Sequence, residues 1–235
     1  MVIVQHYSHS AKHYAETEPG GLFPIPTTCP DCGAVDTLIR WGFYERQART
    51  GLAVSCIRVQ RVRCTACEHT HSLLPDFLHP YRHYVLSLLQ RVISLYLFGG
   101  LGIDSLLEHL GGQGPARSTV REWIASFAYG AGELLYDLLT AHVLAMAPLA
   151  ELPETLPPDH LDRVPDATKR QRLVKAHYVW RWGEYLYAAV KKRLPYLHFA
   201  AAQLLPFLLQ WLQEHQVIPR IFWSPRLATT PTTLG

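Results

Sequence analysis

No apolar run in this 235-residue chain is long and unbroken enough to serve as a membrane span. The two most apolar windows are interrupted, Val85 to Ile103 by Gln90 and Arg91, and Tyr196 to Leu212 by Gln203, Pro206 and Gln210. No membrane partner is therefore expected. The stretch Met1 to Gly20 lacks the basic start and apolar core of a secretory leader, which makes a cytoplasmic, nucleoid-associated bacterial protein the expectation. Cysteine is scarce and odd in number, at 5, so a disulfide-stapled scaffold is excluded. Charge is modest, at 17% of residues and +3 net, while 49% are apolar, which excludes a disordered polyelectrolyte and leaves ample material for a core. There is no internal repeat. Lysine is absent between Cys29 and Arg91, where all the basic charge is arginine.

Composition divides the chain into six stretches. Residues 1–28 read as a loose arm ending in Phe23-Pro24-Ile25-Pro26. Residues 29–72 read as β structure, because Thr37 to Arg46 and Leu52 to Arg63 are rich in β-branched and aromatic residues around a turn at Gln47 to Gly51. Residues 73–147 carry helical periodicity, with Val85, Leu88, Leu89, Val92 and Tyr96 on one face, then Ile103, Leu106, Leu107 and Leu110. Next come Val120, Trp123, Ile124 and Phe127, behind a capping-box candidate Thr119-x-x-Glu122. Residues 148–166 are a proline-rich linker, 167–218 a basic and aromatic helical region, and 219–235 a tail. The expected fold class is mainly α with a small β zinc ribbon (α+β).

Four of the five cysteines stand as two pairs, Cys29-Pro30-Asp31-Cys32 and Cys64-Thr65-Ala66-Cys67, separated by 31 residues. Each Cys-x-x-Cys turn aims two thiolates at one point, and a hairpin of that length brings two such knuckles together. Gly33, directly after the first knuckle, suits the left-handed backbone that the turn needs. One structural Zn2+ held by Cys29, Cys32, Cys64 and Cys67 is the leading expectation, with four sulfur ligands leaving no open position for an activated water. A redox-active Cys-x-x-Cys without metal is the alternative, and His69 or His71 is an alternative ligand. Cys56, at neither knuckle spacing, reads as a small core residue.

Eight arginines lie between Cys29 and Arg91 against five acids. Arg58, Arg61 and Arg63 in the second strand are candidate phosphate ligands, since the planar guanidinium fork matches a phosphate. The three helical stretches match a helix-turn-helix unit whose third helix would read a DNA groove. Its outward set is Thr119, Arg121, Glu122, Ala125 and Ser126, with Arg117 just before it, and Arg117, Thr119, Arg121 and Ser126 are the candidate contacts. A further basic stretch, Lys169 to Arg193, interleaves eight basic residues with Tyr178, Trp180, Trp182, Tyr185 and Tyr187; its candidate contacts are Lys169, Arg170, Arg172 and Lys175. An amphipathic helix packing those aromatics on a core reads the same way.

The cysteine pairs, the segment Leu74-Pro75-Asp76-Phe77-Leu78-His79-Pro80-Tyr81-Arg82-His83-Tyr84 and the helix around Ser118-Thr119-Val120-Arg121-Glu122-Trp123 together resemble the N-terminal region of bacterial insertion-sequence transposases. They are more similar still to a zinc-ribbon family associated with mobile elements. The resemblance covers roughly residues 25 to 130. It implies binding to double-stranded DNA at an element's ends, with a transposase or a second copy of the chain as partner. In such transposases a later RNase H-like domain holds three metal-binding carboxylates. The 85 residues after Ala150 are short for that domain and read as helix, so a non-enzymatic DNA-binding factor is expected. A protein-interaction adaptor and a truncated transposase are the alternatives.

Overall fold

The computed structural model describes residues 2–7, 9–17, 23–80, 82–111, 114–146, 156–193 and 204–208, the side chains of 134, 146 and 190–193 excepted. These residues divide into two compact units, one up to Leu88 together with Leu205 to Leu208, the other from Leu89 to Leu204. The architecture is mixed, one four-stranded sheet with several helices.

The first unit begins with β1 (Val2–Gln5) and α1 (Ala11–Glu16), continues through β2 (Leu38–Arg49), β3 (Val54–Cys64) and β4 (Thr70–Pro75), and reaches the start of α2 (Leu86–Leu97). The sheet order is β1-β4-β3-β2, with β1 parallel to β4 and the other pairs antiparallel. The hairpin turn lies at Thr50 to Ala53, where Thr50 and Ala53 exchange hydrogen bonds and Gly51 adopts φ +92. The turn expected at Gln47 to Gly51 is displaced because pairing continues to Arg49 opposite Val54, with Arg46 and Ala48 buried. Cys56 pairs with Gln47 and is exposed, not a core residue.

The loose arm expected over residues 1–28 is also corrected. Val2, Ile3 and Val4 form a β-branched run that pairs with Ser72 to Leu74 and adds an edge strand. Asp76 fixes the strand's exit, its carboxylate accepting from the Tyr7 N–H at 3.1 Å and standing 2.6 Å from His6 Nδ1. Tyr7, Tyr14, Phe23 and Phe77 then pack ring against ring. Tyr14 is buried and its hydroxyl donates to the Arg58 carbonyl at 3.2 Å; burial pushes its pKa up to about 12. The buried Arg46 guanidinium donates to the carbonyls of His79, Pro80 and Arg82 and so anchors the segment leading into α2.

The second unit is helical: the rest of α2, then α3 (Ile103–Leu110), α4 (Arg117–Tyr129), a π-helical turn over Gly130–Leu135, α5 (Tyr136–Met146), a 3-10 turn at Asp159–Arg163 and α6 (Ala167–Arg193). The apolar stripe read on α4 is buried at Val120, Trp123, Ile124 and Phe127. The helix starts at Arg117, and Ala116 is its N-cap without a side-chain hydrogen bond, so the Thr119-x-x-Glu122 box does not cap it. The stretch 148–166 is not purely a linker. Residues 148–155 lie outside the described residues, but Leu161 is buried, and Asp166 caps α6 by accepting from the Lys169 N–H at 2.8 Å. Phe98 and Phe127 pack on Trp180 at centroid distances of 5.8 Å each. Tyr136, Tyr178 and Trp182 make a second ring cluster. Of the apolar run Tyr196 to Leu212, residues 204–208 are buried. The rest of that run, and the tail 219–235, lie outside the described residues.

Candidate functional site

The two knuckles converge at one end of the β2–β3 hairpin. In the first, the Cys29 N–H donates to the Ala34 carbonyl and the Gly33 N–H to the Cys29 carbonyl, both at 2.9 Å, with Gly33 at φ +73. In the second, the Cys64 N–H donates to the His69 carbonyl at 2.9 Å, and the residue after Cys67, Glu68, takes the same left-handed conformation at φ +63. Each knuckle thus needs a left-handed residue directly after its second cysteine. The first uses glycine, whereas the second places a side chain in a region that L-residues disfavour by about 1–2 kcal/mol. The sulfurs of Cys29, Cys32, Cys64 and Cys67 all lie within 4.8 Å of one another, Cys29 to Cys67 at 3.8 Å and Cys32 to Cys64 at 3.7 Å. None of these cysteines is in a disulfide. Four free thiols at that mutual spacing are a candidate metal site.

Three neighbours shape the site. The Thr37 hydroxyl lies 3.2 Å from Cys64 Sγ and is the largest of several hydrogen-bonding contacts that lower the Cys64 thiol pKa, whereas burial and the neighbouring thiols raise that of Cys67. His71 is fully buried, with Nε2 3.5 Å from Cys29 Sγ and Nδ1 without a partner among the described residues. His69 instead points outward, its Nδ1 2.8 Å from the Asp31 carboxylate, and so links one knuckle to the other. Neither histidine joins the four-sulfur group. Sequence reading identified the cysteines but not the roles of Thr37 and His71, which depend on pairing between residues far apart in the chain.

The hairpin arginines take different positions. Arg58 is exposed, its guanidinium 4.8 Å from the Phe43 ring centroid. Arg63 is half-buried, lies 4.7 Å over the Trp41 ring and stands 3.3 Å from Glu68. Arg61 is half-buried between Gly42 on β2 and Ser72 on β4.

Residues 29–99 match a family described as a domain of unknown function (DUF6431). No curated protein and no solved structure matches the chain. The matched span starts at the first cysteine and runs through both knuckles, the hairpin and α2, so it contains the whole four-sulfur cluster and Arg58, Arg61 and Arg63.

In the helical unit, Arg121 is exposed on α4 and Thr119 is half-buried. Arg117 is exposed and ion-paired with Asp104. Ser126, expected on the outward face, is buried at 1% exposure and is withdrawn as a contact residue. Its burial follows from the packing of α6 against α4, which covers a wider arc than one apolar stripe. On α6 only Lys169 stands exposed among the four candidates there. Arg170 donates to the carbonyls of Asp162 and Val164, Arg172 pairs with Glu133 at 2.8 Å and covers Tyr129, and Lys175 lies over Tyr136. These cations serve helix packing first. Among the described residues, no helix is long and apolar enough to cross a membrane.

Proposed function

We propose that this chain is a zinc-ribbon DNA-binding factor of a mobile element. The observation that carries the reading is the four-thiol cluster at the base of an arginine-bearing hairpin. A tetrahedral zinc–thiolate site with bonds of about 2.3 Å requires sulfur-to-sulfur edges of about 3.8 Å; two of the six edges of the cluster measure 3.8 and 3.7 Å, and all six stay within 4.8 Å. Bound there, zinc would hold the two knuckles together and contribute directly to folding of the hairpin. The exposed Arg58 suits a phosphate. α3 and α4 form the helix-turn-helix, in which Arg121 and the half-buried Thr119 near the start of α4 are the groove-reading residues.

The test is zinc content measured together with a salt titration of duplex binding. One zinc per chain, and an observed affinity that falls steeply with salt, are the expected results, because each phosphate contact releases counterions. Arg121→Ala is expected to weaken binding to a selected site by about 1–3 kcal/mol while sparing random duplex. A chain without zinc, or one that ignores duplex DNA at low salt, overturns the reading. An adaptor that recruits a transposase or polymerase subunit is the second reading, favoured by Leu52 and Val54, exposed at 81% and 59% at the hairpin tip. Zinc binding with no salt-sensitive nucleic-acid affinity would move that reading to the front.

A further inference from the structure

We propose that the open part of the sheet beside the cysteine cluster binds unpaired bases of single-stranded DNA, with the indole of Trp41 as the stacking surface and Arg61 as a phosphate ligand. The inference rests on the DNA-binding reading above and adds a second class of DNA substrate to it.

The surface follows from strand register. Directly paired residues of neighbouring strands project to the same face, and successive residues alternate. Ile39 pairs with Arg63 and Arg63 with Thr70 in one row; Gly42 pairs with Arg61 and Arg61 with Ser72 in the next. These two rows therefore share a face, and the irregularity between Arg40 and Gly42 brings the Trp41 ring against Arg63 on it. Further along the same face, Val59 and Val4 are fully covered, so the core begins there and the rows beside the cysteines stay open. Ile39 and Trp41 are 45% and 46% exposed, and a Cβ on Gly42 would meet nothing within 4 Å.

The chemistry of this patch selects its ligand. The Trp41 ring is half exposed with the Arg63 guanidinium 4.7 Å from its centroid, and Arg61 stands on the same face one row further along. The Arg61 side chain makes no hydrogen bond or ion pair among the described residues, and the Arg63 charge is only partly offset by Glu68, which is itself well exposed. A complementary ligand is anionic and carries flat rings, and a nucleic-acid strand has both. In a duplex the base faces are covered by neighbouring bases, so an indole reaches a base plane only when the strand is unpaired. Gly42 leaves room for a backbone or base to pass close to the sheet, where any side chain would narrow the approach.

The experiment uses the full zinc-loaded chain, an end-labelled oligo(dT) of about 12 nucleotides and a duplex of equal length and random sequence, with affinity read by fluorescence anisotropy. Trp41→Ala is expected to weaken oligo(dT) binding by about 5- to 150-fold and to leave duplex affinity and zinc content unchanged; Trp41→Phe, which keeps a ring, should restore most of the loss. Arg61→Ala, at a half-exposed position, is expected to make the salt dependence of oligo(dT) binding shallower by about 0.7 in slope, and this holds the proposal open to test if Trp41→Ala loses its metal. Binding of oligo(dT) unchanged by both substitutions overturns the proposal. So does a wild-type chain that binds duplex but not oligo(dT), a result that leaves the duplex reading standing. Binding of oligo(dT) without duplex binding would sustain the stacking surface and remove the duplex reading. A Trp41→Ala chain that keeps its oligo(dT) affinity but changes from dimer to monomer on size exclusion would assign the patch to a second copy and overturn the proposal.

Discussion

Nε2 of His71 lies 3.5 Å from Sγ of Cys29, in a place from which water is excluded. Burial lowers the histidine pKa, so the ring is neutral and carries one N–H. Nδ1 has no partner among the described residues, whereas Nε2 faces a sulfur that becomes a thiolate when metal binds. The proton therefore belongs on Nε2, donated to Cys29, where it offsets part of the negative charge of a four-thiolate site. His71→Phe keeps the volume and removes the donor. Metal affinity measured by competition with a chromophoric chelator is expected to fall about 10- to 100-fold. An unchanged affinity would reduce His71 to a packing residue.

The helical unit contains a glycine whose role is steric. A Cβ built on Gly132 would stand 2.4 Å from the Arg172 carbonyl oxygen and 3.0 Å from its Cα, both backbone atoms of α6. The π-helical turn can approach α6 this closely only without a side chain. In an isolated helix Gly→Ala gains about 1 kcal/mol, so propensity and packing predict opposite signs. Packing decides, because the obstacle is backbone and cannot rotate away. Gly132→Ala is expected to destabilise the chain by about 1–3 kcal/mol, read as a lower denaturant midpoint. A rise in the midpoint would mean that α6 shifts freely.

What the sequence made legible was local. Cys-x-x-Cys spacing, the left-handed Gly33 and the α4 stripe of Val120, Trp123, Ile124 and Phe127 all depend on residues within a few positions of one another. What it hid was non-local. The run Val2 to Val4 becomes a strand only because Ser72 to Leu74 offers a free edge, and the proline-rich stretch ends in a buried Leu161. Ser126 is buried by packing that no single-helix periodicity reveals, and the basic stretch on α6 finds its partners in Glu133, Tyr129 and Tyr136. Trp41 had a local signal, an aromatic in a strand beside arginines, but its half-exposure depends on the bulge at Gly42.

His177 makes the stability of the helical unit depend on pH. It is 1% exposed on α6, packs against the Phe98 ring at 5.2 Å, and has no partner for Nδ1 among the described residues. Burial is the main reason that its pKa falls from 6.5 to about 4, with the Arg181 and His160 charges adding to the effect. Folding therefore favours the neutral ring. Above pH 6.5 both folded and unfolded states hold it neutral, and the group costs nothing. As pH falls below 6.5 the unfolded chain takes up the proton first, so stability declines progressively until about pH 4, where the folded state is protonated too. The full decline is on the order of 3 kcal/mol. Urea denaturation followed from pH 7.5 down to 4.5 should show this slope in the wild-type chain and a flatter one in His177→Gln, with the difference between them isolating the histidine from the carboxylates that titrate over the same range. Parallel slopes would show that His177 reaches water in the folded chain.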